Sequence, residues 1–241
     1  MKKKPLVSVL MPYRKKDKLF SLALNSLRNQ TYPRLEILTE EDAGHEGITM
    51  LLNRLVKRAK GEFLARMDAD DMSEPERIEK QVVFLTAHPD VMLVGTWATL
   101  IDENGRKIGI QKMPVGLEEI KRVTFYRNPL IHPSWMMRKA WVKKIGGYNP
   151  DFRFSQDWEL ILRRVKTDKI ENIPEPLIRL RIHKTSSSFS NNKEQLRCGI
   201  RARLGAIWRK DVKFSKILYL IPSLISLAVP THLKYIYRKG I

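Results

Sequence analysis

Three carboxylates stand within four residues at Asp68, Asp70 and Asp71, directly after an apolar run at residues 62–65 that predicts a buried strand. Carboxylates crowded at the end of a strand repel one another unless a cation shares their field, and hard oxygen ligands suit Mg²⁺ or Mn²⁺. An ion held by so few protein ligands keeps open positions for a phosphate-bearing substrate. The alternative is that Asp70 or Asp71 is a helix N-cap before Pro75, since proline often opens a helix.

The length and composition of the chain limit the classes of protein it can belong to. Its 241 residues predict one sizeable core with at most an appendage, and the single Cys198 excludes an internal disulfide framework. The apolar run at residues 6–11 is too short for a signal-peptide core, which predicts a cytoplasmic protein. The net charge of +19 requires an anionic partner. No nucleic-acid-binding motif is present, so we expect no nucleic-acid partner.

The first third of the chain alternates predicted strands with predicted helices. Apolar runs predict strands at residues 6–11, 35–39 and 62–67, and apolar residues at helical spacing predict helices at 19–29 and 48–59. This alternation predicts an α/β fold with a mostly parallel central sheet flanked by helices. In such sheets ligands bind beyond the carboxyl ends of the strands.

Three loops are expected to meet at that edge of the sheet: Pro12-Tyr13-Arg14, residues 40–44, and residues 68–71. Tyr13 either lies against a nucleotide base or covers the core. Asp42 either accepts hydrogen bonds from a base or ribose, or organises the turn before Gly44. With a cation in the third loop, these groups suit a nucleotide diphosphate.

At this point the chain resembles glycosyltransferase family 2, whose nucleotide-sugar-binding fold is called GT-A. The resemblance covers residues 6 to about 190 and rests on segments that match the family pattern in order. These segments are Val7-Ser8-Val9-Leu10-Met11-Pro12-Tyr13, Ser26-Leu27-Arg28-Asn29-Gln30-Thr31-Tyr32-Pro33, Leu51-Leu52-Asn53, and Ala65-Arg66-Met67-Asp68-Ala69-Asp70-Asp71 with Pro75, Arg77, Gln81 and Phe84. The chain departs from the family pattern at Arg14, where Asn is usual, and at Glu41-Asp42, where a pair of Asp is usual.

The resemblance implies the donor side of the site. The residues expected to contact a nucleotide sugar, most simply a UDP-sugar, are Pro12, Tyr13, Arg14, Asp42, Arg66, Asp68 and Asp70. The expected metal ligands for Mn²⁺ or Mg²⁺ are Asp70, Asp71 and His183, although a structural role for His183 remains equally open. By the same resemblance, a Ser-rich segment at residues 184–188 is expected to close over the nucleotide.

The resemblance also implies an acceptor side, with Asp157 as the general base of an inverting transfer to a saccharide hydroxyl. Gln156 stands where the family usually has Glu, and Trp135 and Trp158 are expected to flank the acceptor. The alternatives for Asp157 are that it caps a helix predicted at residues 158–165, or that Glu159 is the base instead. A catalytically silent nucleotide-sugar binder and a basic nucleic-acid-binding protein are the competing functions.

The last region combines apolar and basic residues. Residues 217–230 are apolar but shorter than the ~20 residues a spanning helix needs, and Lys213, Lys216, Lys234 and Arg238 flank them. This pattern predicts an interfacial anchor on an anionic membrane surface, at the inner face of the cell membrane, where it would suit a lipid-linked saccharide acceptor. We therefore expect a GT-A domain at residues 1–190 and a helical membrane-associating tail at 191–241. The alternative is a terminal helix packed on the core or against a second copy.

Overall fold

A computed structural model of the chain describes residues 4–183 and 192–228. Within these ranges the strands are β1 (Val7–Tyr13), β2 (Leu35–Glu41), β3 (Phe63–Arg66), β4 (Met72–Ser73), β5 (Val91–Ile101), β6 (Lys107–Gln111), β7 (Met136–Arg138) and β8 (Lys169–Arg181). The predicted strands of the first third are confirmed as β1, β2 and β3. β1 continues through Pro12, because its pairing with β3 ends at Leu10 and Pro12 has a neighbouring strand on one side only.

The helices over the same ranges are α1 (Lys18–Arg28), α2 (Ile48–Arg58), α3 (Arg77–Ala87), α4 (Leu117–Thr124), α5 (Lys139–Lys144), α6 (Gln156–Arg164), α7 (Asn192–Trp208) and α8 (Ile221–Ala228). Two 3₁₀ segments span His132–Ser134 and Phe214–Leu220. The helices predicted before β2 and before β3 are confirmed as α1 and α2. Asp17 caps α1, its Oδ1 accepting from the backbone N–H groups of Leu19 and Phe20 at 2.9 and 3.1 Å.

The strands form one sheet in the order β2-β1-β3-β7-β5-β8-β4, with β6 paired to β5. The pairs β1–β2, β1–β3 and β5–β8 are parallel, whereas β7 is antiparallel to both of its neighbours. β4 and β6 also pair antiparallel. The α/β fold is therefore confirmed, but the sheet is mixed rather than mostly parallel, with three parallel and four antiparallel strand pairs within the described residues.

Both faces of the sheet are covered, as the alternation of β1 requires. Val7, Val9 and Met11 pack in one cluster with residues of α1 and α3, while Leu10 faces the opposite cluster that includes α2 and α6. Successive side chains of a strand point to opposite faces, so a strand that is apolar throughout must be covered on both. Helices on both faces leave the loops at the carboxyl ends of β1, β2 and β3 to form the site.

Residues 192–228 pack on the preceding part of the chain. Ala202 and Ala206 of α7 are buried in a cluster with Phe125, Phe152 and Leu162 of α6, and Leu220 joins the same cluster. A boundary at residue 190 stays a prediction, and α7 shares its core with α6. Among the described residues, no helix has the length and apolar character needed to cross a membrane.

Candidate active site

The acidic loop after β3 brings Asp68, Asp70 and Asp71 together. Each offers one carboxylate oxygen, and these atoms all lie within 4.8 Å of one another. The alternative of an N-cap is wrong, because the residue that precedes α3 is Glu76 and no side chain caps that helix. The structure thus favours the cation-site interpretation of the three carboxylates.

Asp71 carries the clearest sign of a missing positive charge. Its side chain is buried; Oδ1 accepts the backbone N–H of Arg181 at 2.8 Å, and Oδ2 has no hydrogen-bond partner. Burial, followed by the charges of Asp68 and Asp70, raises the pKa of Asp71 well above its usual range. A divalent cation would relieve both the orphaned oxygen and the repulsion, so the three carboxylates fit Mg²⁺ or Mn²⁺.

His183 lies just after β8, and its Nε2 is 2.9 Å from Oδ2 of Asp70. Adjacent ligands of an octahedral ion with bonds of 2.0–2.1 Å lie about 3 Å apart, which this pair matches. The same distance is that of an ordinary hydrogen bond, so ligation by His183 stays a prediction beside its structural alternative. β8 lies inside the sheet at this point, because Arg179 pairs with Met72 of β4 on one side and Thr99 of β5 on the other.

Two arginines lie beneath the acidic loop with no exposed surface. Arg66 donates to Oδ1 of Asp68 at 2.5 Å and to the carbonyl of Met67, while its Nε has no partner. The prediction that Arg66 contacts the donor directly is wrong, because its guanidinium is sealed in the core. It instead fixes the position of Asp68, which is one-third exposed.

Arg77 supports the same loop from below. Its guanidinium donates to the Arg66 carbonyl at 2.8 Å and to Oε1 of Gln81 at 3.1 Å. Burial, and then the positive charge of Arg66, lower the pKa of Arg77 to about 9. The backbone that leads into the acidic loop is thus tied to α3.

The loop after β1 is only partly available to a ligand. Pro12 is buried, Tyr13 is 8% exposed, and Arg14 is exposed. The Tyr13 ring packs on Phe20 at a centroid distance of 4.7 Å, and its hydroxyl donates to Glu41 Oε2 at 3.3 Å. The structure favours the core-covering alternative for Tyr13 and leaves Arg14 as the side chain of this loop that can reach a donor.

Asp42 organises the loop after β2. Its Oδ1 accepts the N–H of Gly47 at 3.2 Å, and its own N–H donates to the Tyr13 carbonyl at 2.8 Å. The turn-forming alternative is therefore observed. Because Oδ1 is engaged from the loop side, contact with a base or ribose rests on its other oxygen.

Asp157 lies in the first turn of α6, and Oδ2 accepts from Nδ2 of Asn128 at 2.7 Å. Burial raises the pKa of Asp157, opposed by backbone N–H groups of the helix start and by the charge of Arg66. Asp68 also acts on it, in the raising direction. Asp157 therefore shares the electrostatic field of the acidic loop, although 86 residues of chain, from 71 to 157, separate them.

The two expected acceptor-side tryptophans differ in burial. Trp135 is fully buried, its ring edge-on to His132 at 4.7 Å, so its expected contact with the acceptor is wrong. Trp158 is partly buried; it donates from Nε1 to the Thr124 carbonyl at 2.6 Å and lies under the guanidinium of Arg203 at 5.0 Å. Contact of Trp158 with an acceptor stays a prediction.

Two neighbours of Asp157 are likewise held in the fold. Gln156 is 6% exposed, so it lies at the margin of any acceptor space. Glu159, the competing base, is 2% exposed and paired with Arg163 at 3.1 Å. That pairing removes Glu159 from competition and leaves Asp157 as the carboxylate at this helix start with a neutral side-chain donor.

Next to Arg66 lies a pair of side chains, Tyr148, which is fully buried, and His132, which is partly buried. His132 Nε2 is 3.0 Å from the hydroxyl of Tyr148. Burial, and then Arg66, lower the pKa of His132 well below its usual range, while burial raises the pKa of Tyr148. Both side chains are therefore neutral at physiological pH. Arg66 acts on the pKa of both, and Asp157 acts on that of Tyr148.

Sequence reasoning missed two residues of the site. Asn128 reaches Asp157, and Arg181 ties the acidic loop to the β5–β6 turn by donating to the carbonyls of Asp70 (2.9 Å), Asp102 and Glu103 (3.0 Å each). The Asn-Pro step at residues 128–129 and the alternation of Arg179 and Arg181 with apolar residues in β8 were available signals. Residues 184–188 and 229–241 of the predicted closing segment and tail lie outside the described residues.

The mixed sheet, the flanking helices and the clustered acidic residues are those of the GT-A fold. Among solved structures, S. aureus TarS residues 1–349 in complex with UDP-GlcNAc is similar over 87% of this chain and 68% of that one, with a TM-score of 0.65 and 18% identity. The mannosyltransferase PcManGT from Pyrobaculum calidifontis, in complex with GDP-Man and Mn²⁺, is similar over 86% and 65%, with a TM-score of 0.62 and 16% identity. At these identities the likeness establishes the fold.

The sequence comparisons establish the family. The model of "Glycosyl transferase family 2" matches residues 40–146. The O-antigen biosynthesis glycosyltransferase WbnJ of Escherichia coli is 30% identical over 213 residues, 77% of this chain and 83% of the relative. An E. coli UDP-Gal:alpha-D-GlcNAc-diphosphoundecaprenol beta-1,3-galactosyltransferase is 23% identical over 81% of this chain and 72% of its own. The chain belongs to glycosyl transferase family 2 and is a glycosyltransferase.

Proposed function

We propose that the protein is an inverting, metal-dependent glycosyltransferase of bacterial surface-polysaccharide synthesis, which moves a sugar from a UDP-sugar to a saccharide hydroxyl. The observation that carries this proposal is the cluster of Asp68, Asp70 and Asp71, whose carboxylate oxygens lie within 4.8 Å of one another, while Asp157 is held on a separate helix. The names of WbnJ and of the galactosyltransferase support the pathway and the UDP carrier.

In this mechanism Asp157 accepts the proton of the acceptor hydroxyl as that oxygen attacks the anomeric carbon. The bond from the anomeric carbon to the diphosphate oxygen breaks as the new glycosidic bond forms, and single displacement inverts the centre. Asp70, Asp71 and His183 would hold the divalent cation, which when bound neutralises charge on the departing diphosphate. Asp68, positioned by Arg66, would lie near the ribose.

The purified protein should transfer sugar from one member of a panel of UDP- and GDP-sugars to a saccharide acceptor in the presence of Mn²⁺ or Mg²⁺. The product should have inverted anomeric configuration when examined by NMR. Retention of configuration, or undiminished transfer in saturating chelator, would contradict the proposal. Donor binding without turnover on any acceptor would support the competing function, a silent nucleotide-sugar binder.

We further propose that the acceptor is lipid-linked and that the protein works on an anionic membrane at the inner face of the cell membrane. The described C-terminal part exposes an apolar face formed by Trp208, Phe214, Leu218, Tyr219, Leu224 and Ile225, between 49% and 84% exposed. Lys213 is exposed beside it, and Lys216 lies 2.5 Å from the Tyr126 hydroxyl. Apolar surface bordered by lysines suits the interface of anionic lipids.

The same face approaches the acceptor side of the site. Tyr126, whose ring is edge-on to Tyr219 at 5.1 Å, stands two residues before Asn128, the partner of Asp157. An acceptor anchored in the bilayer would therefore present its sugar near the base while its lipid remains in the membrane. This placement supports a lipid-linked acceptor over a free saccharide.

Flotation with vesicles containing anionic phospholipid tests this part. The wild-type protein should float with the vesicles, and a Lys213→Glu, Lys216→Glu double variant should float less, particularly at low salt. A Lys143→Glu, Lys144→Glu variant changes exposed charge on α5 and serves as the control. Equal flotation of the three proteins would contradict binding through this face.

A further inference from the structure

Asn128 is fixed in an orientation that aims its amide nitrogen at Asp157. Its Oδ1 accepts the backbone N–H of Leu130 at 3.1 Å, so the other end of the side-chain amide, Nδ2, donates to Asp157 Oδ2 at 2.7 Å. Pro129 follows directly and restricts the backbone of Asn128 to extended conformations. The donor is thus held in place by both its turn and its neighbour.

A second Asn-Pro step in the chain shows what this turn does without a carboxylate. Asn149 precedes Pro150, and its Oδ1 accepts the N–H of Asp151 at 3.0 Å, the same i to i+2 pattern. Turn formation alone therefore explains Asn149. Turn formation does not explain the second hydrogen bond of Asn128, the one that it donates to Asp157.

We propose that Asn128 is a positioning residue for the glycosyl transfer: it holds the Asp157 carboxylate by one oxygen and favours its ionised form. This inference rests on the proposed function, in which Asp157 is the base. A neutral amide that donates to a carboxylate stabilises the anion without cancelling its charge, so the carboxylate stays able to accept a proton.

The other groups that act on Asp157 explain why such a donor matters. The charge of Arg66 favours the ionised form of Asp157, whereas the charge of Asp68 opposes it. Asp157 in turn raises the pKa of the buried Tyr148. Burial opposes ionisation more strongly than any of these. The amide of Asn128 donates a hydrogen bond directly to the Asp157 carboxylate and so offsets part of the effect of burial on its ionisation.

Asn128→Asp separates the two roles of the residue. A carboxylate at position 128 can still accept the Leu130 N–H and keep the turn, but it replaces the donor to Asp157 with a second negative charge. The acid limb of the profile of kcat/KM for the acceptor against pH should move upward by about one unit or more. Asn128→Ala, which removes the donor without adding charge, should move it in the same direction by less.

Asn149→Asp is the matched control, since it places the same change in the other Asn-Pro turn and should leave the profile unmoved. The Kd for the UDP-sugar, measured by calorimetry, should stay the same in all variants, because the contact lies on the acceptor side. If Asn128→Asp does not fold, the Asn128→Ala profile decides the question.

Two failures are distinguishable. An unmoved acid limb in the Asn128 variants, together with loss of transfer in Asp157→Asn, would overturn the role of Asn128 alone. Full transfer by Asp157→Asn would overturn both the proposed base and this inference.

Discussion

The molecule holds two carboxylate sites with opposite surroundings. In the acidic loop three carboxylates crowd together, the buried Arg66 pairs with Asp68, and a buried oxygen of Asp71 has no partner. At the start of α6, Asp157 instead has a neutral amide at 2.7 Å and the backbone N–H groups of the helix start. The aspartates of the acidic loop have too little positive charge around them, which suits the binding of a cation. Asp157 has neutral hydrogen-bond donors around it, which suits the acceptance of a proton.

The largest effect is expected at the second site. Asp157→Asn should lower kcat by ~10²–10⁴-fold, the usual contribution of a positioned general base. The Kd for the UDP-sugar should not change, because the acidic loop is left intact. Steady-state kinetics and calorimetry measure the two quantities.

The matched control is Asp151→Asn, an exposed aspartate six residues earlier whose weak pairing with Arg201 spans 3.7 Å. It should leave both kcat and donor binding at wild-type values. Parallel losses of turnover and donor affinity in Asp157→Asn would break the comparison, since Asp157 would then belong to the donor site.

Asp71→Asn should have an intermediate effect with opposite signs on binding and stability. Affinity for Mn²⁺ should fall ~10–100-fold, a range typical of changes close to a metal. The metal-free variant should melt at a higher temperature than the wild type at pH 7. The raised pKa of Asp71 means that its charge opposes folding, and this cost grows as pH rises above the unfolded pKa of about 4.

Asp90→Asn is the control for this variant, because Asp90 is exposed and paired with Lys169 at 3.0 Å. It should change neither Mn²⁺ affinity nor the melting temperature by much. A lower melting temperature for metal-free Asp71→Asn would show that the carboxylate is already balanced without a cation.

The smallest effect concerns His132 and the dependence of stability on pH. The folded-state pKa of His132 is depressed, so only the unfolded chain gains a proton as pH falls below about 6.5, and stability should drop there by up to about 1.4 kcal/mol per pH unit. His132→Gln should flatten this slope between pH 6.5 and 5 in denaturant unfolding. His88→Gln, at an exposed position, should keep the wild-type slope. A His132→Gln slope equal to that of the wild type would contradict the depressed pKa of His132.

The strands and the acidic cluster could be predicted from the sequence, because their signals are local. The apolar runs that form β1, β2 and β3 end where the loops begin, so parallel pairing alone brings those loops to one edge. The closeness of Asp68, Asp70 and Asp71 follows from their neighbouring positions in the chain. The position of His183 near Asp70, 113 residues earlier, was expected only from the resemblance.

The rest of the site depends on tertiary packing that no local pattern specifies. Trp135 is fully buried and Trp158 is fixed by Thr124, although both are tryptophans that periodicity cannot assign to core or surface. The sheet is mixed because β7 inserts antiparallel between β3 and β5, a pairing between distant residues. Asn128 lies 29 residues from Asp157, and only the fold brings its amide to the carboxylate.

The most direct test of the central claim is a titration of Mn²⁺ followed by electron paramagnetic resonance, with UDP present, for the wild type, Asp70→Asn and Asp157→Asn. The account predicts that Asp157→Asn binds the ion as the wild type does and that Asp70→Asn loses it. Wild-type binding by Asp70→Asn, or loss of the ion in Asp157→Asn, would contradict the division of labour between the two carboxylate sites.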